Sequence, residues 1–264
     1  MKSSLKDIQN LEDTRGVDIQ KVGVKDVEIP LMIQRKNADD QIVRAKARMS
    51  VSLPKYYKGT HMSRFIEVLS EWGQKNLLGA DIRVCLEDIL KKLDAKTAEI
   101  SLDFKYFIDK KAPVSGNICP MGYECSFEGI ISEDKYNFIL GVKVPLTTLC
   151  PCSKEISDYG AHNQRAVVHV RISYPETEMI WIEDLVELVE TCGSSPVYPL
   201  LKREDEKFVT EKAYENPKFV EDVIRDAIVK LRENNHITWF EVECEAFESI
   251  HNHSAWAYQT EGSL

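Results

Sequence analysis

No stretch of this sequence is apolar over the roughly 20 residues that a membrane-spanning helix needs, so we expect no membrane span. Residues 1–10 lack an apolar core and therefore do not resemble a secretory signal. The chain also lacks an excess of positive charge, because 34 Lys and Arg residues stand against 43 Asp and Glu residues. The net charge of −9 argues against a wide surface for nucleic acid, although a local basic pocket for a phosphorylated small molecule stays compatible with it.

The cysteines do not form the pattern of a disulfide framework. There are seven of them, an odd number at irregular spacing. Together with the missing signal, this favours a cytoplasmic protein whose thiols stay reduced. The composition shows no bias towards Gln, Ser or Pro that would predict disorder, and 264 residues suffice for one large domain or two small ones.

Apolar patterns predict the same order of elements in both halves of the chain, although no sequence repeat is visible. Residues 42–53 alternate between apolar and polar side chains, which predicts a long strand that ends before Pro54. If residues 28–36 form the first strand, the order is strand, strand, helix, helix, strand, strand. The second half repeats this order. We therefore predict an α+β fold with an N-terminal arm and two similar units, in residues 1–27, 28–132 and 133–264.

The segment from Cys150 to Arg165 is rich in reactive and charged groups and has hardly an apolar side chain, which predicts an exposed loop at the end of a sheet. Cys150 and Cys152 are two residues apart, and His162 follows ten residues after the second thiol. This spacing is compatible with a metal site. The alternative is a surface loop with reduced cysteines and an unrelated histidine, but loops on rigid scaffolds often carry function.

Two charged segments follow. Residues 201–207 form a dense charge cluster that we place between two helices, where a solvated turn is the simpler explanation. Asn216 and Pro217 predict the N-cap and first residue of a helix. Glu221 and Asp222 then lie in its first turns, where favourable interaction with the helix dipole explains at least one of them.

The segment from Glu248 to His253 is predicted to continue the strand before it. In an extended chain, His251 and His253 would point to one side, roughly 7 Å apart at the backbone. A histidine pair beside an acid suits acid–base work or metal binding, whereas the four scattered histidines are typical of structural residues. With Cys150 and Cys152 the pair could form a structural zinc site, in which all four ligands come from the protein. There are more than four candidate ligands, which favours a catalytic site that uses three of them and leaves one position for water.

Several motifs, in the right order, closely resemble those of type IB GTP cyclohydrolase. They are Gly-Thr-His-Met-Ser-Arg-Phe at 59–65, Cys-Pro-Cys-Ser-Lys-Glu-Ile-Ser at 150–157, Gly-Ala-His-Asn-Gln-Arg at 160–165, Leu-Lys-Arg-x-Asp-Glu-Lys-x-Val-Thr-Glu at 201–211, Asn-Pro-Lys-Phe-Val-Glu-Asp at 216–222 and Glu-Ser-Ile-His-Asn-His at 248–253. The likeness extends from about residue 12 to residue 260 and so covers nearly the whole chain.

The resemblance implies a tunnelling fold (T-fold). Each unit would be an antiparallel four-stranded sheet with two helices on one face, and two units would follow in tandem. It further implies a homotetramer with active sites at subunit interfaces. The implied reaction is hydrolysis of GTP to 7,8-dihydroneopterin triphosphate and formate, at the entry to folate biosynthesis and, in many bacteria, to queuosine.

The resemblance also implies roles for individual residues. The metal ligands would be Cys150, His162 and Glu206, where Glu206 is preferred to Glu204 because it belongs to the Asp-Glu-Lys motif. One divalent metal (Zn, Mn or Fe) and no organic cofactor would serve each site. Glu221 would hold the guanine. The remaining implied residues are Cys152, Glu248, His251 and His253, for catalysis. The triphosphate needs cations, and the candidates, each of which could equally be a surface charge, are His61, Arg64, Arg165, Lys202 and Arg203.

Two alternatives stay open. One is another T-fold enzyme that acts on a pterin or a 7-deazaguanine, in which Glu221 would keep its role and the product would differ. The other is a non-catalytic protein with a structural Cys/His zinc site, which belongs to a different class of function. Release of formate from GTP separates the first alternative from the cyclohydrolase, and the stability of a Cys150 variant separates the second.

Overall fold

The computed structural model describes residues 8–9, 11–73, 76–77, 79–133 and 135–264, and over these the fold is α+β. The strands are β1 (Ile19–Ile33), β2 (Gln41–Leu53), β3 (Asn76–Leu77), β4 (Thr97–Lys111), β5 (Ile118–Ser132), β6 (Lys135–Leu149), β7 (Asn163–Ser173), β8 (Ser195–Pro196), β9 (Trp239–Ala246) and β10 (Ala255–Gly262). The helices are α1 (Met62–Trp72), α2 (Gly79–Leu93), α3 (Pro151–Ile156), α4 (Ile182–Glu190), α5 (Arg203–Glu215) and α6 (Val220–Glu233). Within the described ranges, no helix is long and apolar enough to cross a membrane.

The chain forms two compact units. The first comprises the described residues up to Phe104 together with Ser126–Phe138, and the second comprises Lys105–Cys125 and Ile139–Leu264. The strand order is β5-β4-β2-β1-β3 in the first unit and β10-β9-β7-β6-β5-β4 in the second, where β8 also pairs with β6. The predicted strands and helices occur in the predicted order, with β3, α3, β8 and α5 in addition.

The core of the first unit follows from the alternation in β2. Ala45, Ala47 and Met49 are fully buried, and the polar residues between them face outwards. The strand predicted over residues 42–53 is therefore confirmed. β2 pairs antiparallel with β1 and β4, so its backbone hydrogen bonds are used on both edges. The helices supply the other side of this core with Phe65, Val68, Leu69, Ile82, Leu86 and Ile89.

The core of the second unit is built in the same way around β7. Its apolar residues Ala166, Val168, Val170 and Ile172 are fully buried, and β7 pairs antiparallel with β6 and β9. Helix α6 packs on β9 and buries an apolar stripe at helical spacing, namely Val223, Ile224, Ala227 and Leu231. Burying one such large aliphatic side chain stabilises the fold by about 1.5–3 kcal/mol. This core packs against β7 and its neighbours β6 and β9, which form one sheet.

The first strand is longer than predicted. β1 begins at Ile19, so residues 19–27, assigned to the arm from their weak pattern, pair with β2. The register shifts between Ile19 and Val22 and again between Val24 and Val27. Each shift inserts a bulge and changes which face a side chain occupies, so the period of two is lost in the sequence.

Two predictions for residues 201–222 are wrong. The charge cluster at 201–207 is not a turn between helices, because α5 begins at Arg203; this helix buries only Asp205 and Ala213 and so has no apolar stripe to reveal it. Asn216 is not the N-cap of α6 but the C-cap of α5, and its side-chain amide donates to the carbonyl of Gly193 at 3.0 Å. The N-cap of α6 is Phe219.

Candidate active site

A cavity of about 370 Å³ in the second unit collects most of the predicted site residues. It lies where β6 ends, β7 begins and α6 begins, beside the connection between β9 and β10. The predicted residues that line it are Cys150, His162, Glu221, Glu248, His251 and His253. Residues more than 100 positions apart in sequence thus share one cavity, which the sequence could suggest only through the motifs.

Cys150 stands at the start of a short helix rather than in the predicted loop. It is the N-cap of α3, and its Sγ accepts a hydrogen bond from the backbone N–H of Ser153 at 3.4 Å. Pro151 occupies the first helical position, where its missing N–H leaves no hydrogen bond unmade. The loop predicted over residues 150–165 is therefore wrong at both ends, because Pro151 starts a helix and β7 begins at Asn163.

His162 is fixed beside Cys150 by its backbone. The N–H of Cys150 donates to the carbonyl of His162 at 3.1 Å, and the N–H of His162 donates to Ser153 Oγ at 3.2 Å. The imidazole Nδ1 lies 3.0 Å from Gln164 Oε1 and 3.9 Å from Glu248 Oε2. The thiol and the imidazole therefore enter the cavity from one hydrogen-bonded junction between β6 and β7.

Glu248, His251 and His253 do not continue a strand, and that prediction is wrong. β9 ends at Ala246, where it pairs with Ala255 at the start of β10, so the residues between form the connection. The two imidazole rings nevertheless stack, with centroids 5.0 Å apart and planes 13° apart. Both rings are exposed at the cavity, whereas Glu248 is only 16% exposed. An exposed pair of imidazoles beside a half-buried carboxylate can exchange protons with a bound molecule.

The start of α6 separates the roles of its two acids. Asp222 accepts a hydrogen bond from the backbone N–H of Phe219 at 3.1 Å and so caps the helix. Glu221 lines the cavity instead. Lys218 also lines it and forms an ion pair with Asp226. The capping explanation thus accounts for Asp222 and leaves Glu221 for the cavity.

Cys152 and the start of α5 do not line this cavity. Cys152 is exposed on α3, and Lys202, Arg203, Glu204 and Glu206 are exposed at the first turn of α5. That turn is nevertheless held firmly by the fully buried Asp205. Its carboxylate accepts from the backbone N–H groups of Val114, Ser115 and Lys202 at 2.8, 2.9 and 2.8 Å, and from Ser115 Oγ at 2.6 Å.

His61 and Arg64 belong to the first unit, where they line a separate cavity of about 290 Å³ at the start of α1. Arg64 Nη1 donates to the backbone carbonyl of Lys92. This hydrogen bond joins the start of α1 to the end of α2. Tyr57 and Asp94 line the same cavity.

The donors at the main cavity suit a divalent metal in part. Cys150 and His162 supply a thiol and an imidazole in one cavity, which is the chemistry that zinc and iron accept. The predicted third ligand, Glu206, is not among the residues lining it. Across the described ranges, no group of three or more His, Cys, Asp and Glu side chains is placed to hold a metal within one chain.

The lining residues that were not predicted as site residues include Thr148, Gln164, Lys218 and Trp256. Gln164 and Lys218 lie inside two of the quoted motifs, and that position was the only available signal for them. Thr148 is 1% exposed and Gln164 is 9% exposed, so both are buried polar residues and must be hydrogen-bonded. Trp256 is 59% exposed on β10 and presents an indole to the cavity.

The fold is that of a known class of α+β proteins. It is similar to the crystal structure of a uricase from Bacillus fastidious, with a TM-score of 0.55 at 8% sequence identity, over 92% of this chain and 93% of the uricase chain. At this identity the likeness concerns the fold alone.

The sequence is far more specific. The family described as type I GTP cyclohydrolase FolE2 matches residues 5–257, and the chain belongs to this family. It is 56% identical over 253 residues to the GTP cyclohydrolase FolE2 of Geotalea uraniireducens, which covers 96% of this chain and 92% of the relative. It is 53% identical over 256 residues to that of Citrifermentans bemidjiense, with 97% and 94% covered.

Proposed function

We propose that this chain is a metal-dependent GTP cyclohydrolase that hydrolyses GTP to 7,8-dihydroneopterin triphosphate and formate. Its product would enter folate biosynthesis and, in bacteria that make queuosine, the biosynthesis of queuosine. The observation that carries the proposal is the single cavity that joins Cys150 and His162 to Glu221 and to the His251–His253 pair. Family membership over residues 5–257 supports it independently.

Cys150, His162 and Glu206 would hold one divalent ion of zinc, manganese or iron. C8 of guanine is a poor electrophile, and a bound divalent metal supplies a better nucleophile by lowering the pKa of water towards ~7. The thiol and imidazole are already fixed by the α3 cap and the hydrogen bond between the two backbones. No organic cofactor is required for this hydrolysis.

Glu221 would bind the guanine base. A carboxylate can accept two parallel hydrogen bonds, from N1–H and the 2-amino group of guanine, and no other common base offers that pair of donors. The cap provided by Asp222 fixes the first turn of α6 and so fixes the direction of Glu221. Trp256 on the cavity wall offers an aromatic surface for a planar base.

Glu248, His251 and His253 would move protons while the imidazole ring of guanine opens. Their stacked rings and the nearby carboxylate provide donors and acceptors within one side of the cavity. Histidine suits this work because its ordinary pKa lies close to neutral pH. Cys152, exposed one residue beyond Pro151, would act in the later rearrangement rather than as a ligand.

Lys202, Arg203, His61 and Arg64 would bind the triphosphate, which requires cations and hydrogen-bond donors. None of them lines the main cavity of a single chain. We therefore propose a homotetramer of tandem T-fold units (residues 28–132 and 133–264), in which a neighbouring subunit contributes residues to each site. Glu206 would reach its site in the same way.

The proposal is tested with the purified chain, stripped of metal and reloaded with zinc, manganese or iron(II) in turn. GTP should yield formate and, after oxidation, a fluorescent pterin in equal amounts. His251→Ala should lose most of this activity, whereas His236→Ala, which alters an exposed histidine paired with Glu178, should retain it. Absence of formate with all three metals would rule out the cyclohydrolase, and a product formed without formate would favour another T-fold reaction.

A further inference from the structure

Gln164 connects three residues at the back of the cavity. Its Oε1 lies 3.0 Å from His162 Nδ1, and its Nε2 lies 3.0 Å from Thr148 Oγ1 and 3.5 Å from Glu248 Oε1. Gln164 and Thr148 face each other across β6 and β7 as a register pair, so the sheet fixes their separation. Because both are almost fully buried, water cannot readily replace these hydrogen bonds.

The surroundings determine which way the Gln164 amide points. A carboxylate can only accept hydrogen bonds, so the amide group nearest Glu248 must be the NH₂ group. The opposite orientation would place the amide oxygen against the carboxylate and leave the NH₂ group facing His162. The amide oxygen is therefore the atom that faces His162.

The amide in turn determines the tautomer of His162. Both groups near Nδ1 are acceptors, namely Gln164 Oε1 at 3.0 Å and Glu248 Oε2 at 3.9 Å. A neutral imidazole carries one proton, so a donor at Nδ1 leaves the lone pair at Nε2. In metal sites, a hydrogen bond of this kind at the second ring nitrogen fixes the tautomer and the ring direction.

We propose that Gln164, supported by Thr148, is a positioning residue that holds His162 in the Nδ1-protonated tautomer and presents Nε2 to the cavity. The metal part of this proposal rests on the proposed function, whereas the tautomer does not. The two polar atoms of the Gln164 amide are engaged by His162, Thr148 and Glu248. Gln164 acts through His162, and its removal should weaken metal binding before it affects the fold.

The tautomer is measured directly by ¹⁵N NMR of the imidazoles in the metal-free protein, at a pH where His162 is neutral. We expect a protonated Nδ1 and an unprotonated Nε2 for His162 in the wild-type chain. The reverse pattern would overturn the proposal without any variant being made. Because no metal or GTP is present, this result is independent of whether the chain proves to be a cyclohydrolase.

Metal affinity provides the second measurement, by competition with a chromophoric chelator for Zn²⁺ and Mn²⁺. Gln164→Ala should raise Kd by roughly 10–100-fold, the usual effect of removing a residue that is hydrogen-bonded to a metal ligand. The variant should also populate both tautomers of His162. Thr148→Val removes the acceptor for Gln164 Nε2 and should shift both readouts in the same direction by less. Gln259→Ala, an exposed glutamine on β10, should change neither.

A purely structural role would lower the melting temperature of Gln164→Ala and leave the NMR pattern and Kd unchanged. That outcome would contradict the proposal. If Gln164→Ala fails to fold, Thr148→Val and the wild-type spectrum still decide it. Loss of formate release in the wild-type chain, with the expected tautomer present, would defeat the proposed function and leave the positioning role intact.

Discussion

The backbone N–H of Cys150 donates to the carbonyl of His162 at 3.1 Å, and this hydrogen bond sets the spacing between the two predicted metal ligands. The eleven residues between them include helix α3 and a turn at Gly160, where φ is +141°. Few residues besides glycine adopt such a φ readily, so the turn depends on this position. The site is therefore built at the junction of β6 and β7, independently of how the rest of the cavity is filled.

Replacement of Cys150 distinguishes a catalytic site from a structural zinc site. Cys150→Ala should abolish metal binding and lower kcat/KM by more than roughly 100-fold. Removing a residue that is only hydrogen-bonded to a metal ligand already lowers affinity or activity by roughly 10–100-fold. The melting temperature of Cys150→Ala should stay within a few degrees of the wild type, since the core does not include this side chain. Cys119→Ala, at a half-buried thiol on β5, is the control. Unfolding of the Cys150 variant, measured by circular dichroism, would favour the structural zinc site.

Glu221→Gln should weaken guanine recognition. It removes a charge-assisted acceptor worth about 1.5–3 kcal/mol, so kcat/KM for GTP should fall roughly 10–100-fold. The wild-type chain should prefer GTP to inosine triphosphate, which lacks the 2-amino group, and Glu221→Gln should lose most of that preference. Steady-state formate release with both nucleotides measures the two ratios.

The control for this experiment is Asp222→Asn, because Asp222 lies next to Glu221 but caps α6 through Phe219. Asparagine keeps an oxygen that can accept from the Phe219 N–H, so the variant loses the charge but not the cap. It should therefore lose less than the roughly 0.5–2 kcal/mol usual for loss of a cap, and it should preserve the nucleotide preference. An unchanged GTP preference in Glu221→Gln would remove Glu221 from the base-binding site.

Cys152→Ala separates ligand binding from later chemistry. Cys152 is exposed on α3 and does not line the cavity. We expect the variant to bind Zn²⁺ with nearly wild-type Kd and to lose turnover, so that kcat falls while metal content is preserved. Metal analysis together with single-turnover kinetics measures both. Loss of metal in this variant would instead place Cys152 among the ligands.

Elements with strong apolar periodicity could be predicted from the sequence, because burial of one face is what fixes them. β2, β7 and α6 show this most clearly. α5 could not be predicted, because it buries Asp205 rather than an apolar stripe and is held by hydrogen bonds from Val114 and Ser115, about 90 residues away in sequence. Periodicity contains no signal for such a tertiary anchor.

The candidate site could likewise be predicted only in part from the sequence. The motifs suggested Cys150 and His162 together, and the backbone places them together. The prediction that His251 and His253 lie side by side is right, but its reason is wrong. Their rings stack in the connection after β9 and not on a strand. Gln164 was missed because a glutamine has no reactive group, and its role depends on facing Thr148 across the sheet.

Asp205 should make stability depend on pH in acid. Burial raises the pKa of its carboxyl, but the hydrogen bonds from Ser115, Lys202 and Val114 outweigh this and hold the pKa well below its usual range. A lowered pKa in the folded state stabilises the fold above the unfolded-state value of about 3.9, and this contribution is lost as the pH falls below it.

Asp205→Asn tests this contribution. Between pH 5 and 7 the variant should melt at a lower temperature than the wild type by a constant amount, and the difference should narrow below about pH 4. The control is Asp103→Asn, because Asp103 is exposed on β4 and takes no part in holding α5. A difference that stays constant down to pH 3 would show that the hydrogen bonds do not depend on the charge of Asp205.

The largest loss of stability is expected at a buried ion pair in the second unit. Lys110 and Glu190 are paired with side chains only 10% and 14% exposed, and Tyr123 donates to Glu190 Oε1 at 2.7 Å. Burial lowers the pKa of Lys110 despite the opposing effect of Glu190, which shows how strongly this amine is desolvated. Lys110→Met would leave the Glu190 carboxylate without its counter-charge, a change that costs about 3–5 kcal/mol at buried pairs.

The double variant Lys110→Met/Glu190→Leu should lose much less than the sum of the two single variants, because it leaves no uncompensated charge behind. Lys207→Met is the matched control, since Lys207 and Glu211 form an exposed pair, 74% and 57% exposed, expected to contribute less than about 0.5 kcal/mol. Urea unfolding of the wild type, the two single variants, the double variant and Lys207→Met gives the free energies. If Lys110→Met and Lys207→Met lose equal stability, the buried pair is hydrated in solution; a large loss confined to Lys110→Met shows that it anchors β4 to α4.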